Sequence, residues 1–183
     1  MKIVTLLLLT PALLLAEVKT TVTVEGSVLP ATIQGMPWVM MTNYAAADGN
    51  GDQGVGASYR GKDIKIDLYI YDSLSAEWAA LPLAQRIEKE EGGIDEMFAQ
   101  LIERGAYSEV NVVKKESITV AKTRFRHIEI NFTDTQNGPL NSHYYLSQLN
   151  GKVFKIRISS KPSAKPAAVQ AAFEEIVGAI YKN

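Results

Sequence analysis

Along residues 63–72 the chain reads DIKIDLYIYD, where Ile64, Ile66, Leu68 and Ile70 alternate with Lys65, Asp67, Tyr69 and Tyr71. An extended backbone sends successive side chains to opposite sides, so a period of two predicts a strand with one fully apolar face. The same alternation in RHIEINF turns Ile128, Ile130 and Phe132 inward, with His127, Glu129 and Asn131 on the other side. In KVFKIRIS it sends Phe154, Ile156 and Ile158 to the core and Lys155 and Arg157 away from it. Weaker alternation predicts strands over Val28–Ile33, Val39–Ala46, Val55–Tyr59, Val110–Val120 and His143–Leu149. Between these runs lie DGNGDQG, RGKD, TQNGPLN and LNGK, clusters of Gly, Asn and Asp that reverse a chain. Connections this short join antiparallel neighbours.

Two segments change period. From about Pro166 to Tyr181, Val169, Ala172, Phe173, Ile176, Val177 and Ile180 recur at steps of three and four, which predicts an amphipathic helix lying on the sheet. An earlier stripe of Ile94, Met97, Phe98, Leu101 and Ile102 predicts a second helix, with Asp95 and Glu96 near its start, Arg104 near its end and Gly105 terminating it. Helicity extends back toward Pro82, although Gly92 and Gly93 are expected to break or kink that extension. The carboxylates of IEKEEGGIDE read as a solvated helix face.

The order is four strands, a helical section, four strands and a closing helix, which defines an α+β domain: an antiparallel sheet of about six to eight strands with two main helices packed on it. That order, together with the closing HYYLSQLNGKVFKIRIS followed by AAFEEIVGAIYKN, resembles the PsbP-like fold shared by a photosystem II extrinsic subunit and by small exported bacterial proteins of the DcrB type. The resemblance is topological and carries no functional residue across. It implies an α/β/α sandwich, with helices on both sheet faces, in proteins that assist or bind partners. Alternation instead assigns one face to Lys65, Asp67, His127, Glu129, Lys155 and Arg157, and so leaves that face polar.

The first residues, MKIVTLLLLTPALLLAEVK, place Lys2 before an apolar run from Ile3 to Leu15, followed by the small Ala16. This pattern is that of a secretory signal peptide over residues 1–16; the run falls short of the roughly 20 apolar residues that span a bilayer, and Pro11 interrupts it. The expected mature chain, 17–183, is one domain, periplasmic or secreted, without stable membrane insertion. It contains no cysteine, so it carries neither a lipid on a terminal cysteine nor a disulfide, and packing must supply its stability. Loss of Lys2 moves the formal charge from −1 to −2, a balance that gives no general attraction to nucleic acid. The expected partner is another envelope or secreted protein.

Candidate chemistry is sparse. Asp48, Asn50 and Asp52 in DGNGDQG match the first three ligand positions of a calcium loop, but Gln53 stands where glycine belongs and Tyr59 where the closing glutamate belongs. A strand-connecting turn is the expectation, with no metal and no cofactor. No nucleophile elbow is present, and the two histidines, His127 and His143, lie outside any zinc-binding spacing. Each reads as a surface or hydrogen-bonded residue, with a small hydrolase using one of them as the enzymatic alternative. The remaining constellation is the polar face itself: Tyr69, Tyr71, His127, Lys155 and Arg157 either present aromatics beside cations, as protein interfaces do, or the tyrosines pack beneath the first helix and the basic chains are simply solvated. The predicted function is therefore a non-catalytic binding or assembly accessory, with a carrier of a small apolar ligand held between sheet and helix as the alternative.

Overall fold

A computed structural model describes residues 21–24, 27–43, 54–72 and 75–181. The proposed leader and the aspartates of DGNGDQG lie outside these residues. Ten strands and three helices follow in the order β1 (Thr21–Val24), β2 (Ser27–Pro30), β3 (Thr32–Ile33), β4 (Met36–Asn43), β5 (Val55–Arg60), β6 (Ile64–Tyr71), α1 (Ala76–Ala79), α2 (Leu83–Glu103), β7 (Tyr107–Val120), β8 (Thr123–Asp134), β9 (Gly138–Leu149), β10 (Lys152–Ser160) and α3 (Pro166–Tyr181). β1 and β2 pair as a separate antiparallel ribbon. The other eight form one antiparallel sheet in the order β3-β4-β5-β6-β10-β9-β8-β7. It consists of two meanders joined where β10 returns to the centre and pairs with β6 from Val153↔Tyr71 to Ser160↔Ile64.

Helices cover both faces. On one side α3 sets Val169, Ala172, Phe173, Ile176 and Val177 against Ile66, Leu68 and Ile70 of β6, Phe154, Ile156 and Ile158 of β10, and Phe125 and Tyr145 of the second meander. On the other, Ile94 and Phe98 of α2 pack on Ile128, Ile130 and Phe132 of β8 and Tyr144 and Leu146 of β9. One sequence expectation is corrected here. The alternation in β8 is as read, but its apolar set faces α2, whereas the apolar sets of β6 and β10 face α3. Register decides this: Leu68 pairs with Ile156, Ile156 with Tyr145, and Tyr145 with His127, so His127 stands in the same row as the α3-facing core. β9 can serve both sides because Tyr144, Tyr145 and Leu146 are apolar in succession and all buried.

α2 is also longer and more regular than its sequence suggests. It runs unbroken through Gly92 and Gly93, at which an added Cβ would meet nothing. Burial of Ile94, Phe98 and Glu90 on one stripe holds the helix where local propensity would not. Gly54, the last residue of DGNGDQG, has φ +72°, and a Cβ there would lie 2.0 Å from the carbonyl oxygen of Ile70. That glycine is required by close approach of β6 as well as by its backbone angle.

Candidate functional site

The five residues singled out as a polar face separate into three environments. Tyr69, Tyr71 and Lys155 lie together beneath α1 and α2. The Lys155 ammonium is 5.0 Å from the ring centre of Tyr69 and 5.5 Å from that of Tyr71, and it pairs with Glu90 of α2 at 2.5 Å. Tyr71 and Trp78 are both buried, their ring centres 6.3 Å apart. Of the two readings of this group, packing of the tyrosines beneath the helices is the one observed, and the expected solvation of Lys155 is corrected: Glu90 supplies the countercharge that allows a lysine under a helix. Arg157 occupies a second position on the same face, its guanidinium 5.4 Å from the ring centre of Tyr144. His127 belongs to the opposite face.

There the structure brings the two histidines together. β8 and β9 run antiparallel with Glu129↔His143 and His127↔Tyr145 in register, which sets His127 and His143 diagonally across one face. Nε2 of His127 lies 3.1 Å from Nδ1 of His143, and Nδ1 of His127 lies 3.2 Å from a carboxylate oxygen of Glu116 on β7. The two rings are within 6° of parallel with centres 5.3 Å apart, so they meet edge to edge. With Glu116 accepting the Nδ1–H of His127, Nε2 of His127 accepts from Nδ1–H of His143, and Nε2 of His143 is left with its lone pair. Tyr145 stacks on His127 at 4.5 Å and Phe173 of α3 stacks on Tyr145 at 3.8 Å, fixing the ring from above.

Burial holds the proton affinity of His143 below the ordinary imidazole value; the charge of Glu129 works against this and His127 reinforces it. The Glu116 carboxyl is lowered by its bonds to Lys114 and His127. The polar row continues from His143 through Asn141, whose amide donates to Glu129 at 2.8 Å and to the side-chain oxygen of Asn131 at 2.7 Å. These groups floor a groove of about 810 Å³ whose other wall is the apolar start of α3 and the segment before it, with Pro162, Ala164, Pro166, Ala167 and Val169. Among the described residues no cluster of three or more His, Cys, Asp or Glu side chains is placed to hold a metal. No helix in them is long and apolar enough to cross a membrane.

Sequence reasoning named both histidines but not their meeting, and it missed Glu116 and Asn141 altogether. The available signal was cross-strand register: a turn confined to Thr135–Asn137 pairs Asp134 with Gly138 and so places position 143 opposite position 129. Glu116 could not be found that way, because the Ala121–Lys122 turn that sets its register with His127 carries no turn-forming residue.

No protein-family model matches the chain, and no curated protein matches it. Among solved structures, the chain is similar to the solution structure of cyanobacterial PsbP (CyanoP) from Synechocystis sp. PCC 6803, at 9% sequence identity and a TM-score of 0.47, covering 84% of this chain and 83% of that one. It is also similar to the crystal structure of PA94 from Pseudomonas aeruginosa, described as a protein of unknown function and putative regulator, at 12% identity and a TM-score of 0.40, covering 85% of this chain and 93% of that one. The similarity concerns the PsbP-like fold alone.

Proposed function

We propose that the protein is an exported, non-catalytic binding or assembly accessory that receives a partner in the groove between the His143–Asn131 row and the start of α3. The observation that carries this reading is the groove itself: a floor of converging polar groups facing an apolar wall, as recognition sites are built. The bonds of the histidines favour binding over acyl transfer. His127 is engaged at both ring nitrogens by Glu116 and His143, and the hydroxyls of Ser142 and Ser159 bond to each other at 2.7 Å. An imidazole poised on a hydroxyl, the arrangement nucleophilic catalysis needs, is not among the described contacts. Export rests on the Ile3–Leu15 run after Lys2.

A carrier of a small amphipathic ligand is the second reading, favoured by a volume within the range of about 300–1,000 Å³ usual for small-molecule sites. A photo-crosslinking residue at the exposed Gln170, on the groove rim, tests both. The expected outcome is a discrete adduct in the envelope fraction, absent with the same residue at Glu103 on the far face, and carried on a chain that begins near Glu17. The adduct mass separates a protein partner from a small ligand. No adduct above the Glu103 control, or a chain retaining residues 1–16, overturns the proposal.

A further inference from the structure

Arg157 stands on the α2 face of β10, in register with Tyr144 of β9 and Asp67 of β6. Its Nε is shut off from solvent with no hydrogen-bond partner, and the Tyr107 side chain bonds to the guanidinium elsewhere. The nearby carboxylates are engaged with other groups. Asp67 accepts from Ser58 at 2.6 Å and pairs with Lys65 at 2.9 Å. Asp134 accepts the backbone N–H groups of Gln136 and Asn137, each at 2.9 Å, and the Asn137 amide at 3.1 Å. Among the described residues none forms an ion pair with Arg157. The side chain is partly buried, and the charges of Asp67 and Asp134 that reach it belong to carboxylates already accepting hydrogen bonds elsewhere, so the guanidinium keeps donors that a further anion can satisfy.

The space beside it has the chemistry to provide one. A pocket of about 340 Å³ opens next to Arg157 and is lined by Arg60, Lys62, Lys65 and Lys161 as well, against three acids, Asp63, Asp67 and Asp134. Two of the acids are already committed as described, and Lys62 and Lys161 are exposed at the mouth. The excess is positive by two charges, and it surrounds a planar fork suited to donating to two oxygens at once.

We propose that this pocket binds an oxyanion, the carboxylate or phosphate group of a small ligand, with Arg157 as the bidentate anchor and Lys62 at the entrance. Arg157 is on the opposite sheet face from the histidine groove; the two cavities meet at Leu140 and Lys161, and the site does not rest on the function proposed for the groove. The test is thermal denaturation and titration calorimetry of the whole mature protein with inorganic phosphate and, separately, acetate, each against sodium chloride at equal ionic strength. Saturable stabilisation is expected in the millimolar range or tighter with at least one of the two, and their relative strength identifies the anion class. Arg157→Lys keeps the charge but loses the fork, and binding should weaken at least tenfold. Lys62→Gln, a surface change that leaves the anion-free melting temperature in place, should weaken binding severalfold, while Lys122→Gln at the far end of the sheet should not. No saturable response beyond chloride, equal losses in the Lys62 and Lys122 variants, or undiminished binding by folded Arg157→Lys each overturns the site.

Discussion

His143 shows what a single residue gains from its neighbours. In the sequence it is one of two isolated histidines; in the fold it joins His127 and, through it, Glu116 on a third strand. Because burial lowers its proton affinity in the folded state, the unfolded chain takes up the proton first as pH falls. The stability tied to this group is complete above about pH 6.5, the ordinary imidazole value, and is lost as pH falls from there toward the folded value. Glu129 faces the ring from β8, Glu116 and Lys114 lie along β7, and Glu109 and Lys161 stand at the groove rim; α3 contributes Val169 and Gln170, which do not titrate. A melting temperature that declines between pH 7.5 and 5.5 is expected, and His143→Gln should flatten that decline. An equal decline in the variant would assign it to other groups. Glu90 and Lys155 make a second residue-scale case. Glu90→Leu alone leaves an ammonium under α2 and should cost about 3 kcal/mol, the low end for a broken buried pair, since the lysine side chain retains 21% exposure and can turn toward water. Adding Lys155→Met should recover most of that loss in urea denaturation; additive losses would show that the pair is not coupled.

At the scale of elements, β1 was not foreseen and the single strand expected over Val28–Ile33 divides into β2 and β3 of different sheets, whereas β6, β10 and α3 were legible because period and turn chemistry agreed. Asn150–Gly151 illustrates this: both residues have positive φ, as a two-residue hairpin between antiparallel strands requires, and Asn-Gly is the pair that tolerates it. The β7–β8 hairpin uses the same geometry with Ala121 at φ 48° and Lys122 at φ 64°. Neither residue signals a turn, so the sequence could not place it. The side chains pay a steric penalty there, and Lys122→Gly should raise stability by about 1 kcal/mol in equilibrium unfolding. Gly92→Ala and Gly93→Ala should each add roughly 0.5–1 kcal/mol, because both sites are helical and open. A loss on any of the three would mean that the backbone there differs from this geometry. What no local pattern could reveal was parity. Alternation divides each strand into two faces, but a shift of one residue in register exchanges them, and only the pairing of β8 with β9 shows that Ile128 and Ile156 face opposite helices. The polar face proposed from sequence failed on that point, and with it the grouping of His127 with Lys155 and Arg157.

For the whole molecule, the arrangement of the described residues argues that the eight-stranded sheet and its helices fold as one cooperative unit. The chain consists of two meanders that are each contiguous in sequence, β3 to β6 and β7 to β10, and such halves fold separately when little joins them. Here two features join them. β10 pairs with β6 along eight residues, placing the seam in the middle of the sheet. α3 then spans it: Phe173 meets Phe125 and Tyr145 of the second meander at 5.2 and 3.8 Å, within the same buried cluster as Tyr59, Ile66 and Leu68 of the first. A helix that buries one stripe on both halves cannot leave one without exposing the other. The two tryptophans permit a direct measurement, since Trp38 lies on β4 at the edge of the first meander and Trp78 lies on α1 against Tyr71 and Val153 at the seam. Tryptophan fluorescence and far-ultraviolet circular dichroism should therefore report one coincident urea transition. Phe173→Ala should shift both by about 3–5 kcal/mol, the usual cost of emptying a buried aromatic site, and keep them coincident. Separation of the two transitions in the wild-type protein would show that the seam does not couple the halves. Separation only in the variant would place the coupling in α3 rather than in the β6–β10 ladder.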